Sequence, residues 1–282
     1  MPDPSSAFDG ASEVEEVTSR RGVAQLRRTW TCREPRASAL VLHGIAEHSG
    51  RYEHVGAKLA EAGYSTRSFD HHGHGRSGGV RGFVESFDVF LDDVEDNLNQ
   101  LREEGLPVVL LAHSMGGLIA FNYCISGRPS PDALLLSGPA LGAATPRWQR
   151  IAAPIIGRIR PKTFIKSEFD GTLLSSDPDV GMRYQSDPLR LEGATAGLGW
   201  ELFKAMENAH THMDALSIPT MVIHGGEDRI VPPAFSEPIG ALPVATRQVL
   251  PGLAHEILNE ASWERTLQSY INFSNGALGV ST

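Results

Sequence analysis

The stretch Leu110-Leu111-Ala112-His113-Ser114-Met115-Gly116-Gly117 decides the reading of this chain. The run Val108-Val109-Leu110-Leu111 is too short for a helix and apolar on both alternating sets, as in a strand covered on both faces. A serine flanked by small residues comes directly after it, and then an apolar helical pattern. A nucleophile elbow has these requirements. The serine sits on a strained strand-to-helix turn, and only small side chains fit two positions before and two after it. Such a turn lifts the hydroxyl above the sheet. It also points the next helix's N-terminus, and the Met115 N–H, at a developing oxyanion. Ala112 stands where the usual pattern has glycine, which adds one methyl of crowding.

Working outward, Leu40-Val41-Leu42, Ala133-Leu134-Leu135-Leu136 and Met221-Val222-Ile223 repeat the short apolar run. Between the first two strands, Phe87, Phe90, Leu91, Val94, Leu98 and Leu101 recur at helical spacing. Asp88, Asp92, Asp93, Glu95 and Asp96 are assigned to the opposite, solvent face. Strands alternating with such helices predict an α/β fold with a mostly parallel, doubly wound sheet. Ligands then bind beyond the carboxyl ends of the strands. The rhythm breaks between Leu141 and Met206, where no clear strand is read and Pro154, Pro161, Pro178 and Pro188 interrupt the chain. The expected organisation is a mobile tail over 1–17, a core over 18–140 and 207–282, and a helical cap (lid) insertion over 141–206.

Composition narrows the function classes. The 282 residues are 41% hydrophobic and 21% charged, ordinary for a globular chain with a full core. A net charge of −9 lacks the basic footprint that nucleic acid requires. Cys32 and Cys124 make neither a metal set nor a disulfide framework, and two free buried thiols are expected. No apolar run has the length of a membrane span, and Met1 to Ser6 lacks a signal peptide's basic start and apolar stretch. A cytoplasmic location is the default expectation.

The partners of Ser114 should come in chain order, acid and then histidine, each after a later strand. Val222-Ile223-His224-Gly225-Gly226-Glu227-Asp228 supplies Asp228, with Glu227 as the rival acid. Val249-Leu250-Pro251-Gly252-Leu253-Ala254-His255-Glu256 supplies His255. A buried Asp–His pair fixes the imidazole tautomer and stabilises the imidazolium formed when serine loses its proton. Three strand ends in the right order weigh more than any one match. Leu42-His43-Gly44-Ile45 adds a strand end at which a backbone N–H can face a carbonyl oxygen. Asp70-His71-His72-Gly73-His74-Gly75-Arg76-Ser77 looks metal-rich, but no element geometry puts its histidines on one ion, and a glycine-shaped turn is expected.

These motifs together resemble the monoacylglycerol lipase and lysophospholipase-like branch of the α/β-hydrolase superfamily. The resemblance runs from Leu40 to Phe273. It rests on His43-Gly44-Ile45-Ala46-Glu47-His48-Ser49-Gly50-Arg51-Tyr52, Asp70 to Ser77, His113 to Gly117, Ser186-Asp187-Pro188-Leu189, His224 to Asp228, and His255-Glu256. It implies the α/β-hydrolase fold, the triad Ser114, Asp228 and His255, and an oxyanion hole from the N–H groups of Ile45 and Met115. It implies that Glu47, Arg51 and Tyr184 lie near the part of the pocket that takes the glycerol end. Ile45 stands where a smaller residue is common, which narrows the acyl path.

The implied reaction is hydrolysis of a lipid-like ester, a monoacylglycerol, through an acyl-enzyme, with no metal or organic cofactor. A general carboxylesterase or a lysophospholipase shares that triad, as do a proline-releasing peptidase and a perhydrolase. A catalytically inactive hydrolase-fold binding protein is the rival of a different class. Epoxide hydrolases and haloalkane dehalogenases need an aspartate nucleophile, which Ser114 excludes. Within the insertion, Arg147, Arg150, Arg158, Arg160, Lys162 and Lys166 are interleaved with Trp148, Ile151, Ile155, Ile156 and Ile159, without an acid. Two readings stand: a cap helix with solvated cations, and a segment that also touches an anionic membrane surface.

Overall fold

The computed structural model describes residues 11–142, 156–166 and 170–280. Eight strands form one sheet in the order β1-β2-β4-β3-β5-β6-β9-β10. These are Glu13–Thr18, Ala24–Trp30, Tyr64–Phe69, Ala37–Leu42, Val108–His113, Ala133–Ser137, Thr220–Gly225 and Ala245–Leu250. Strands β1 and β2 run antiparallel to their neighbours, and the rest are parallel. This is the α/β-hydrolase sheet.

Alternation along each central strand builds two apolar layers. Leu40, Leu42, Leu110, Leu134, Leu136 and Val222 face helices α2 (Asp88–Arg102) and α3 (Met115–Ile125). Ala39, Val41, Val109, Leu111, Leu135 and Ile223 face the other side, with Val55 and Leu59 of α1 (Glu53–Glu61) and Leu267, Tyr270 and Ile271 from a C-terminal helix, Trp263–Leu278. Each fully buried Leu or Ile contributes about 1.5–3 kcal/mol of burial energy, so both faces hold the sheet rigid beneath its carboxyl edge.

Three expectations are corrected. The tail does not extend to Val17, because Glu13–Thr18 pairs with Ala24–Trp30 in full register. Its exposed carboxylates hid a one-sided edge strand. The segment between β6 and β9 is not free of strands. It carries the short antiparallel pair β7 (Phe164–Lys166) and β8 (Gly193–Thr195), together with helices α4 (Pro178–Ser186) and α5 (Ala196–Thr211). Three-residue strands leave too little periodicity to read. Asp93 is not on the solvent face of α2 but 3% exposed. Arg147, Trp148, Arg150, Ile151 and Ile155 lie outside the described residues. Lys166, at the end of the cationic stretch, pairs with Glu192 at 3.0 Å. Cys32 and Cys124 are free and buried, as expected.

The histidine-rich stretch is a turn. Gly73 and Gly75 have φ of +72° and +49°. Asp70 ties this turn to the loop after β3, accepting from Ser49 N and Arg76 N at 2.8 and 2.7 Å. His71 N–H donates to His43 Nε2 at 2.9 Å, joining the same two loops.

Burial, reinforced by Asp96, pushes the Asp93 carboxyl up to about 7. The folded state therefore holds a proton that the unfolded state releases near pH 4. Stability falls as pH rises through that window. Asp93→Asn should raise stability at pH 8 by on the order of 2–4 kcal/mol, and leave it nearly unchanged at pH 4. Urea denaturation at the two pH values checks this.

Candidate active site

Ser114 sits at the junction of β5 and α3 with φ 52° and ψ −117°. Non-glycine residues rarely occupy this region, and the surroundings must hold it there. Ser114 N–H donates to Ser137 O at 3.0 Å. Its carbonyl accepts from Leu118 and Ala140, each at 3.0 Å. Gly116 is required by close packing. A Cβ there would stand 2.6 Å from His43 O and 2.7 Å from Leu42 O. Ala112 fits in place of glycine, fully buried between Leu42 and Leu136 of the flanking strands.

The three predicted strand-end residues come together. Ser114 Oγ lies 2.9 Å from His255 Nε2, and His255 Nδ1 lies 2.6 Å from Asp228 Oδ2. All three are buried. Asp228 Oδ1 accepts from Ile230 N and Val231 N, both at 2.9 Å. Burial opposes ionisation of Asp228, but the hydrogen bonds from His224, His255 and the backbone hold its carboxyl well below the usual range. Glu227 is exposed and makes no hydrogen bond with His255.

The serine opens into a cavity of about 450 Å³. Ile45, Ala46 and Ile230 line its apolar part, with Ile156, Ile165, Leu174, Leu191 and Phe203 from the insertion. Glu47, Tyr184, His113 and Glu256 supply polar groups. A Cβ on Gly44 would stand 3.2 Å from Ser114 Cβ, so the bare backbone there lets this loop approach the serine.

Arg51 lies near the pocket but not on its wall. It stands behind the cavity, pairing with Glu47 Oε2 at 2.6 Å and with both oxygens of Glu256 at 2.5 and 2.7 Å. Its guanidinium carbon lies 5.0 Å from the Tyr184 ring centroid. Burial pushes the Glu47 carboxyl up against the pull of Arg51. Glu256, gripped by both guanidinium nitrogens, is held low despite its burial. Glu47 Oε1 also accepts from Gly44 N and from Tyr52 Oη, so one carboxylate shapes the loop facing Ser114. Sequence reasoning passed over Glu256 and His113. Their adjacency to His255 and Ser114 was the available signal. Burial and the neighbouring His255 push the His113 imidazole down to about 3, so it stays neutral. No cluster of metal-ligating side chains occurs among the described residues.

This fold, with a buried serine, histidine and aspartate at the carboxyl edge of its sheet, defines an α/β-hydrolase. The family described as serine aminopeptidase, S33 (Hydrolase_4) matches residues 33–262, and the chain belongs to that family. It is 34% identical over 249 residues to a monoacylglycerol lipase of Mycolicibacterium smegmatis, covering 85% of this chain and 88% of that one. The crystal structure of Paleococcus ferrophilus monoacylglycerol lipase is 28% identical, with a TM-score of 0.80, over 94% of this chain and 99% of that one. A soluble variant of monoglyceride lipase from Saccharomyces cerevisiae, in complex with a substrate analog, shares the fold at 21% identity, with a TM-score of 0.87 over 100% of both chains. The chain is an ester hydrolase.

Arg51→Met should leave two buried carboxylates facing each other. Removing one partner of a buried ion pair costs about 3–5 kcal/mol. The variant should lose that much by urea denaturation at pH 8. The deficit should shrink toward pH 5, where a carboxyl takes up a proton.

Proposed function

We propose that the protein hydrolyses monoacylglycerols to fatty acid and glycerol, with Ser114 as nucleophile, His255 as general base and Asp228 as the acid that orients it. The observation that carries this reading is the hydrogen-bonded run Ser114–His255–Asp228, at 2.9 and 2.6 Å, opening into a largely apolar cavity. Ser114 Oγ attacks the ester carbonyl as His255 takes its proton. The Gly44 N–H is occupied by Glu47, and the next peptide N–H, that of Ile45, holds the oxyanion together with Met115 N–H. His255 then protonates the leaving alcohol and activates water for deacylation. The acyl chain lies along Ile156, Ile165, Leu174 and Leu191. The glycerol end meets Glu47 and Tyr184, with Arg51 fixing Glu47 from behind. The similarity to two monoacylglycerol lipases supports the substrate.

The insertion over 141–206 acts as a cap that also touches lipid. Ile159, Phe164 and Ile165 are 72%, 46% and 53% exposed, and Arg158, Arg160 and Lys162 are exposed beside them. Apolar groups interleaved with cations suit an anionic interface. No helix among the described residues is long and apolar enough to cross a membrane.

Ser114→Ala should lower kcat by about three orders of magnitude or more while the fold is kept, because the triad acts as a unit. Retention of most esterase activity would falsify the assignment. A hydrolysis profile over monoacylglycerols, lysophospholipids, triacylglycerols and short p-nitrophenyl esters should peak on monoacylglycerols. A peak on short soluble esters alone would mark a general carboxylesterase. Wild type should co-sediment with anionic vesicles more than a variant neutralised at Arg158, Arg160 and Lys162. Equal, negligible binding by both would remove the membrane contact.

A further inference from the structure

The carboxylate of Asp228 is shared by a second imidazole. His224, at the end of β9, is fully buried. Its Nε2 lies 2.7 Å from Val231 O and 3.1 Å from Asp228 Oδ2. A carbonyl only accepts, so Nε2 carries a hydrogen, directed between Val231 O and Asp228 Oδ2. Nδ1 lies 3.0 Å from Ser236 Oγ, which in turn lies 2.9 Å from Pro233 O. Ser236 Oγ accepts from Arg247 Nε at 2.9 Å. Arg247 also donates to Pro233 O at 2.7 Å. The hydrogen on His224 Nε2 is thus fixed by Val231 O, independently of His255.

Oδ1 of Asp228 is held by two backbone N–H groups, and Oδ2 by two imidazole N–H groups. We propose that His224 is a positioning residue for the reaction: it fixes Oδ2 of Asp228 toward His255 and, by drawing on that oxygen's charge, sets how strongly Asp228 stabilises the His255 imidazolium. This rests on the reading of Ser114, His255 and Asp228 as the triad. The other ionisable groups facing the pair are His113, whose ring centroid is 4.7 Å from that of His255, Glu256 with its partner Arg51, and Arg247 through Ser236. None changes in the test.

The test measures kcat/KM for a soluble p-nitrophenyl ester against pH in wild type, His224→Leu and His224→Gln, with thermal melts alongside. Leucine removes the donor, leaving Oδ2 more charge for His255. The acid limb should move up by about half a pH unit, and kcat should fall about tenfold with KM nearly unchanged. Glutamine carries an amide N–H toward Asp228 and an oxygen toward Ser236, and should restore both values. A purely structural His224 would lower the melting temperature without moving the acid limb. A folded leucine variant with an unmoved limb overturns the proposal, as does a folded glutamine variant as impaired as leucine. If leucine prevents folding, Ser236→Ala removes the hydroxyl that holds the His224 ring at Nδ1 and should shift the limb the same way by less. An unmoved limb there also overturns it. The triad reading fails separately, through an active Ser114→Ala.

Discussion

The molecule is organised around a backbone conformation that Ser114 would not adopt alone. Its φ of 52° is held because its N–H and carbonyl are both taken, by Ser137 on β6 and by Leu118 and Ala140. Strain of this kind costs on the order of 1–3 kcal/mol and persists only where the surroundings over-determine it. The two apolar layers supply that surplus. Gly116 then lets α3 press against the end of β3, which brings the His43–Gly44–Ile45 loop beside the serine.

Around that fixed point, two buried anionic centres are handled in different ways. Asp228 stays ionised through four hydrogen bonds and no permanent cation. That leaves its charge available to a proton on His255. Glu47 and Glu256 instead share Arg51, whose charge joins the loop after β3 to the loop that carries His255. In the proposed mechanism the first arrangement serves proton transfer. The second fixes the relative position of two loops that both reach the serine.

The central sheet and the serine, aspartate and histidine positions were legible in the sequence. Strands buried on both faces have an unbroken apolar signature, and the strand-end rule then directs attention to the first residues past each strand. The edge strand Glu13–Thr18 was not legible, since its exposed carboxylates look like a solvated tail. Helical periodicity assigns faces by average, but β2 and the turn before it, whose Arg20 and Arg21 pair with Asp96 and Asp92, cover part of the acidic face of α2 where Asp93 lies. Asn97, one turn on, bonds Gln25 and Arg27 there. Sequence spacing also cannot show that Glu256, 205 residues away, takes the Arg51 guanidinium. Contacts between distant loops leave no periodic trace, and His224 was passed over for the same reason.

The central claim is that Ser114 is the activated nucleophile of a working hydrolase. An active-site phosphonate, combined with peptide mass mapping, tests it most directly. A single covalent adduct should form on Ser114 in wild type and be absent in Ser114→Ala and in His255→Ala. A folded wild-type protein that takes no label, or takes it on another residue, would contradict it.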